Sequence, residues 1–145
     1  MIYSRSADYA IRALVFLARA PVGTYTMARV IAEREQIPAY FLAKILQDLA
    51  RKGILRSSRG PSGGFTLRLP ASQISLLEII EALDGKSLAT TAGQLPWMLD
   101  SWKALHSRIM DSLGRSTVAD VAKAVNQHRG DEKPKRSRRS AARRS

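Results

Sequence analysis

Arg59 opens the turn Arg59-Gly60-Pro61-Ser62-Gly63-Gly64. A guanidinium on so glycine-rich a tip can enter a narrow DNA minor groove, where negative potential is enhanced. Gly60, Gly63 and Gly64 permit the tight turn and a close approach to a duplex. A merely solvated turn arginine is the plain alternative. Tyr40 and Lys44 lie one helical turn apart and could reach base edges or phosphates. Ser4, Arg5 and Ser6 precede a predicted helix and could hold phosphate at its N-terminus, although Ser6 could simply be a cap. Thr26, Ala39, Arg51, Arg56, Ser57 and Pro61 complete the candidate DNA-binding set. Nothing comparable points to catalysis. His106 and His128 are the only histidines, and neither has a neighbouring ligand pattern. The glycine turn lacks the strand-to-helix context of a nucleotide loop. No enzyme and no metal site are expected.

The elements that would position these residues can be read in turn. A helix over 6–20 carries the apolar stripe Ala7, Ala10, Ile11, Leu14, Leu17 and Ala18. A second helix, capped by Thr26, runs to Arg34 with Val30 and Ile31 inward. Pro38 suits the first position of a third helix. On it Phe41, Leu42, Ile45, Leu46 and Leu49 face inward. Ala39, Tyr40, Ala43, Lys44, Gln47 and Arg51 face out. Gly53 ends this helix, and strands 54–58 and 65–69 flank the glycine turn. Helix, strand, basic tip and strand make a winged helix, so duplex DNA is the expected partner. Ser75 and Glu78 form a capping box for a helix from Leu76 to Asp84, stopped by Gly85.

Residues 86–96 are small, polar and aperiodic, and read as a connector. A long helix over 97–113 follows, with Gly114 as its stop. Met98, Trp102, Leu105, Ile109 and Leu113 form a seam at three- and four-residue spacing. The seam is expected to bury against the same helix of a second subunit; packing within its own domain is the alternative. A short final helix is predicted over 117–125. The expected organisation is a DNA-binding domain over 1–85, a connector over 86–96, dimerisation and terminal helices over 97–126, and a disordered basic tail over 127–145. The fold class is mainly α with a small β-wing.

Charge agrees with this reading. The 145 residues hold 24 Lys and Arg against 12 Asp and Glu, a net of +12. Such an excess favours polyanions, nucleic acid first and anionic membrane second. Eight Lys or Arg and two acids lie in 129–145, so this tail holds half of the net charge. Its side chains offer almost nothing to bury, which leaves the entropy of ordering uncompensated. No apolar run approaches the roughly 18 residues that span a bilayer. The N-terminal segment is interrupted by Asp8, Arg12 and Arg19, so an amphipathic helix is favoured over a signal peptide. A cytoplasmic location is expected. Without cysteine there are no disulfides and no thiolate metal ligands.

Several motifs give the chain a family likeness. They are Tyr9 to Leu14, Ile37-Pro38 through Leu46, Gly53-Ile54-Leu55 with Ser57, the wing from Arg59 to Phe65, Leu77 to Gly85, Trp102, and Thr117 to Asp120. On these the chain resembles the Rrf2 family of bacterial winged-helix transcription regulators over residues 1–126. The resemblance implies a homodimer on a palindromic operator, joined through the long helix. It also implies an iron–sulfur cluster held by three connector cysteines, the last shortly before a tryptophan. The chain departs from the family here. The run Leu95-Pro96-Trp97-Met98-Leu99-Asp100-Ser101 has neither Cys nor His, and the connector is short. No cofactor is therefore expected. The expected function is sequence-specific transcriptional regulation, by repression, with room for a small-molecule or protein effector of unknown kind. The alternative is a low-specificity architectural or partner-binding protein that has lost its sensor.

Overall fold

Helix α1 (Arg5–Arg19) is capped by Ser4, whose hydroxyl accepts from the Ala7 N–H. The cap thus falls two residues before Ser6, and Arg5 and Ser6 lie inside the helix rather than ahead of it. The computed structural model describes residues 4–61, 63–85 and 99–131, apart from the side chains of 99–103 and 129–131. Ala7, Ala10, Ala13, Leu14, Val15 and Leu17 of α1 are buried. Ile11 and Ala18, expected in the same stripe, are only half-buried.

Helix α2 (Ala28–Glu35) starts two residues after Thr26. Met27 takes the N-cap position, with no side-chain cap bond, and the Thr26 backbone is paired elsewhere. Its N–H donates to the Phe65 carbonyl at 2.9 Å, and its carbonyl accepts from the Phe65 N–H at 2.8 Å. Ile31 and Ala32 are the buried residues of α2, whereas Val30 is exposed. Gln36 ends α2 in the left-handed region (φ 54°, ψ 48°), a conformation that costs a non-glycine residue about 1–2 kcal/mol. The Arg12 guanidinium offsets part of this by donating to the Glu35 carbonyl, one of the orphan acceptors at the helix end.

Helix α3 (Ala39–Arg51) is capped by Pro38, not begun by it. Pro38 has extended ψ of 121°, and its carbonyl accepts the first helical bond, from Leu42, at 3.0 Å. Leu42, Ile45, Leu46 and Leu49 are buried. Phe41 is not; its ring meets Tyr9 edge-on at 5.7 Å near the surface.

Strands β1 (Leu55–Ser58) and β2 (Gly64–Leu67) pair antiparallel, with Leu55 opposite Leu67 and Ser58 opposite Gly64. Both are shorter than expected. Ile54 drops out of β1 because its N–H closes α3 on the Leu49 carbonyl at 3.0 Å. Leu55 and Phe65 are the anchors that turn inward and seat the hairpin on the core.

A 3₁₀ turn (Ala71–Gln73) leads to α4 (Leu76–Asp84), where the expected Ser75–Glu78 capping box forms and Gly85 follows as the C-cap. Helix α5 (Leu99–Arg115) runs through Gly114 instead of stopping there. A Cβ at Gly114 would stand 3.6 Å from Leu77 of α4, so this glycine lies along a helix contact. Helix α6 (Val118–Asp131) has a capping box of its own. The Thr117 N–H donates to the Asp120 carboxylate at 2.9 Å, and the Asp120 N–H donates to the Thr117 hydroxyl at 3.2 Å. The helix passes both the expected end at 125 and the expected tail start at 127. Once Val118 and Ala122 are packed, each further residue adds one backbone bond at little cost.

One apolar core joins α1 to α4, the hairpin and α6. Val118 and Ala122 of α6 lie in the same cluster as Leu14, Ile31, Leu46 and Ile79. The last helix is thereby built into the winged segment. The connector 86–96, Met98, Ser62 and the tail from 132 lie outside the described residues. Among the described residues no helix is long and apolar enough to cross a membrane.

Candidate nucleic-acid interface

The outward face of α3 begins with Ala39 and Tyr40, both exposed, the latter by 75%. Lys44 follows one turn later, and Gln47 and Arg51 continue the same face. The Lys44 ammonium stands over the Tyr40 ring, 4.5 Å from its centroid. Arg51 is the last residue of α3 and pairs with Asp48 at 3.0 Å, as does Lys52 at 3.1 Å. Because these pairs are exposed on the cation side, they are worth a few tenths of a kcal/mol and yield readily to a phosphate.

The wing presents Arg56, Ser57, Arg59, Gly60 and Pro61 to solvent. Arg56 and Arg59 are in no ion pair among the described residues. Gly60 takes φ of +106°, and its carbonyl accepts from the Gly63 N–H at 2.9 Å, closing the tip. The other two glycines also have a role within the chain itself. Gly63 is buried, and a Cβ there would stand 2.4 Å from the Ser58 carbonyl oxygen. A Cβ at Gly64 would stand 2.3 Å from the Thr26 carbonyl oxygen. These two serve the close passage of one piece of backbone over another.

Between the second half of α3 and the wing runs an open groove of ≈ 800 Å³. Arg51, Arg56 and Arg59 bring three guanidiniums to it, and no carboxylate lines it among the described residues. Gln47, Tyr25 and Ser58 line it too and were not among the expected site residues. Gln47 was legible from its spacing, three residues beyond Lys44. Tyr25 was not, because the Thr26–Phe65 backbone pairing that brings it here leaves no mark on side-chain pattern.

The expected phosphate site at the head of α1 is differently engaged. The Ser4 N–H donates to Asp84 Oδ2 at 3.0 Å, and the Ser4 hydroxyl donates to Oδ1 of the same carboxylate. An anion already stands there, supplied by the end of α4. Arg5 is exposed, Ser6 half-buried, and Thr26 half-buried with its backbone paired to Phe65. Of the expected dimer seam, Leu105 is half exposed, and Ile109 and Leu113 are half-buried. Trp102 falls in α5, its side chain outside the described residues along with Met98.

The Rrf2 family model, described as that of an iron-dependent transcriptional regulator, matches residues 3–124. A Mycobacterium tuberculosis protein named as an HTH-type transcriptional regulator, Rv1287, is 35% identical over 131 residues, 84% of this chain and 81% of its own length. The structure of Staphylococcus aureus CymR in its oxidized form is 28% identical with a TM-score of 0.71, over 84% of this chain and 96% of that one. CymR (YrzC), the global cysteine regulator of B. subtilis, has the same fold, with a TM-score of 0.72 at 21% identity, over 83% of this chain and 95% of its own. The donor set here does not suit the iron centre that the family description implies. The whole chain contains no thiol, and residues 86–98 contain no Cys, His, Asp or Glu. Iron–sulfur clusters are held by cysteine thiolates. With a winged helix-turn-helix whose exposed face is basic, matched by the family model over most of its length, this chain belongs to the Rrf2 family and is a DNA-binding transcriptional regulator.

Proposed function

We propose that this chain is a homodimeric repressor that binds a palindromic operator in the cytoplasm and does so without an iron–sulfur cluster. The observation that carries the reading is the groove where Arg51, Arg56 and Arg59 converge beside the exposed face of α3. Helix α3 enters the major groove, and the wing lies over the adjacent minor groove or backbone. Two copies joined through α5 place two such faces on half-sites about one helical turn apart, or a multiple of it. Any effector acts through the connector and α5. Selection of bound sequences from random duplexes, followed by titration at physiological salt, tests this. A repressor prefers its palindrome over bulk DNA by about a thousandfold or more. A flat profile with a steep salt dependence would make the chain an architectural coat instead.

Arg59→Ala is expected to weaken operator binding by about 1–3 kcal/mol and to relax preference for A·T pairs beneath the wing. Arg59 is exposed and packs against nothing in the core, so thermal stability should not move. A variant that binds the operator as tightly as the parent would show that the wing tip is not a reader.

Residues 132–145 hold seven Lys or Arg and one acid. Each phosphate they neutralise adds roughly 0.9 to the slope of log affinity against log salt. Removing residues 132–145, which lie beyond α6, should flatten that slope and weaken specific and non-specific binding by similar factors. Sequence preference should persist, because α3 and the wing remain. An unchanged slope would mark the tail as a solubilising appendage, and a selective loss of operator preference would contradict both accounts.

A further inference from the structure

We infer that Tyr40 and Lys44 act as one unit, in which the Tyr40 ring holds the Lys44 ammonium as a preset donor that selects a guanine in each half-site. The inference rests on α3 being the reading helix of the proposed operator complex. Its starting point is the stacking of Lys44 Nζ on Tyr40 at 4.5 Å. The two residues are four apart on α3, so they lie one above the other on its exposed face. Tyr40 leaves 75% of its surface in solvent, which is a large exposure for an aromatic residue, and it packs on no other ring among the described residues.

An unrestrained lysine has a flexible four-carbon stem and loses about 2 kcal/mol of rotamer freedom when fixed. Such a side chain follows the nearest phosphate. Stacking removes part of that freedom before DNA arrives, which is the general advantage of preorganisation. The attraction also grows as the pair leaves water, from about 0.5–1 kcal/mol at an exposed site to about 2 when desolvated. The ammonium carries three N–H donors, so stacking on one ring leaves donors for a base edge. Lys44 is in no ion pair among the described residues, so no carboxylate competes for those donors.

A donor-only group discriminates among bases. Guanine presents two adjacent acceptors, O6 and N7, to the major groove. Adenine presents one acceptor beside an amino group and cytosine an amino group, each of which opposes an ammonium, while thymine offers the single acceptor O4, so guanine alone offers two. Arg51 and Arg56 line the neighbouring groove, where their guanidiniums are placed to serve phosphates. Lys44 is thus free to read, and Tyr40 is its positioning residue.

The test uses the full-length protein and duplexes enriched by it from a random pool. Lys44→Met, Tyr40→Phe and Tyr40→Leu are compared by competition binding at several salt concentrations, with thermal unfolding as a check on folding. Lys44→Met is expected to lose about tenfold in affinity for the enriched duplex and to lose the guanine preference at one position of each half-site. Tyr40→Phe keeps the ring and should keep that preference. Tyr40→Leu should reduce it several-fold while the salt slope stays as in the parent, since the charge of Lys44 remains. If Lys44→Met weakens all duplexes equally and flattens the salt slope, Lys44 is a phosphate contact and the inference falls. It falls likewise if Tyr40→Leu discriminates as the parent does. A parent protein that enriches no sequence at all overturns the operator reading itself, and this inference with it.

Discussion

Replacing Gly64 by alanine is expected to cost the fold about 2–4 kcal/mol and to abolish specific DNA binding. Two penalties coincide at this position. Its φ of +148° is a conformation that side-chain-bearing residues rarely adopt. A Cβ there would stand 2.3 Å from the Thr26 carbonyl oxygen, 2.4 Å from the Thr26 carbonyl carbon and 2.7 Å from the Met27 nitrogen. All three are backbone atoms, so no rotamer change relieves the clash. The chain must separate Thr26 from β2 and break the paired bonds between Thr26 and Phe65. Those bonds fix the wing against the entrance to α2, so the groove opens as they are lost. Gly60→Ala is the control. It has φ of +106° but nothing within 4 Å of its Cβ position, so only the conformational penalty applies, about 1–2 kcal/mol. Denaturant unfolding of the two variants beside the parent checks the order. A Gly64→Ala protein as stable as Gly60→Ala would show that the contact with Thr26 is not rigid.

The same contact shows what the amino-acid sequence conceals. Helix α4 was legible to the residue, because its limits are set locally by the Ser75–Glu78 box and by Gly85. The hairpin was legible from its glycines, and the inner face of α3 from its leucine and isoleucine spacing. The Thr26 pairing was not, because backbone bonds between distant segments leave no periodicity behind. Gly63 and Gly64 were recognisable as necessary, yet a glycine reads the same whether a ligand or another strand crosses it. Ser4 and Ser6 are both good caps, and only the carboxylate of Asp84, far along the chain, bears on which is used. Gly114 looked like a stop, whereas the approach of Leu77 gives it a place inside a helix. In the candidate site the arginines and the α3 face followed from local pattern. The groove that gathers them, with Gln47 and Tyr25, is a tertiary product.

Leu105→Glu is expected to dissociate the proposed dimer and to lower affinity for the palindrome by about a hundredfold or more, with the subunit fold intact. Leu105 is 50% exposed on α5 and is absent from the core cluster. Its loss therefore leaves the core of the single subunit unaltered. In a two-fold dimer one substitution acts twice, because the same patch is contributed by both copies. Burying a leucine is worth about 1.5–3 kcal/mol, so the pair forfeits roughly 3–6 kcal/mol. Two carboxylates brought into one apolar seam add desolvation and like-charge repulsion. Since every 1.4 kcal/mol is tenfold, the dissociation constant rises by about two to four powers of ten. On DNA the consequence is larger than the lost contact area suggests. A dimer bound to one half-site holds its second reading helix at an effective concentration near millimolar, an advantage of about 10² to 10⁴ that separate subunits lack. The variant should consequently bind an isolated half-site as the parent's single subunit does, and show a shallower salt dependence on the palindrome. Sedimentation velocity at micromolar concentration and titration of full-site and half-site duplexes check both parts. A Leu105→Glu protein that stays dimeric and keeps the parent's preference for the full palindrome would place the dimer contact elsewhere than the exposed face of α5.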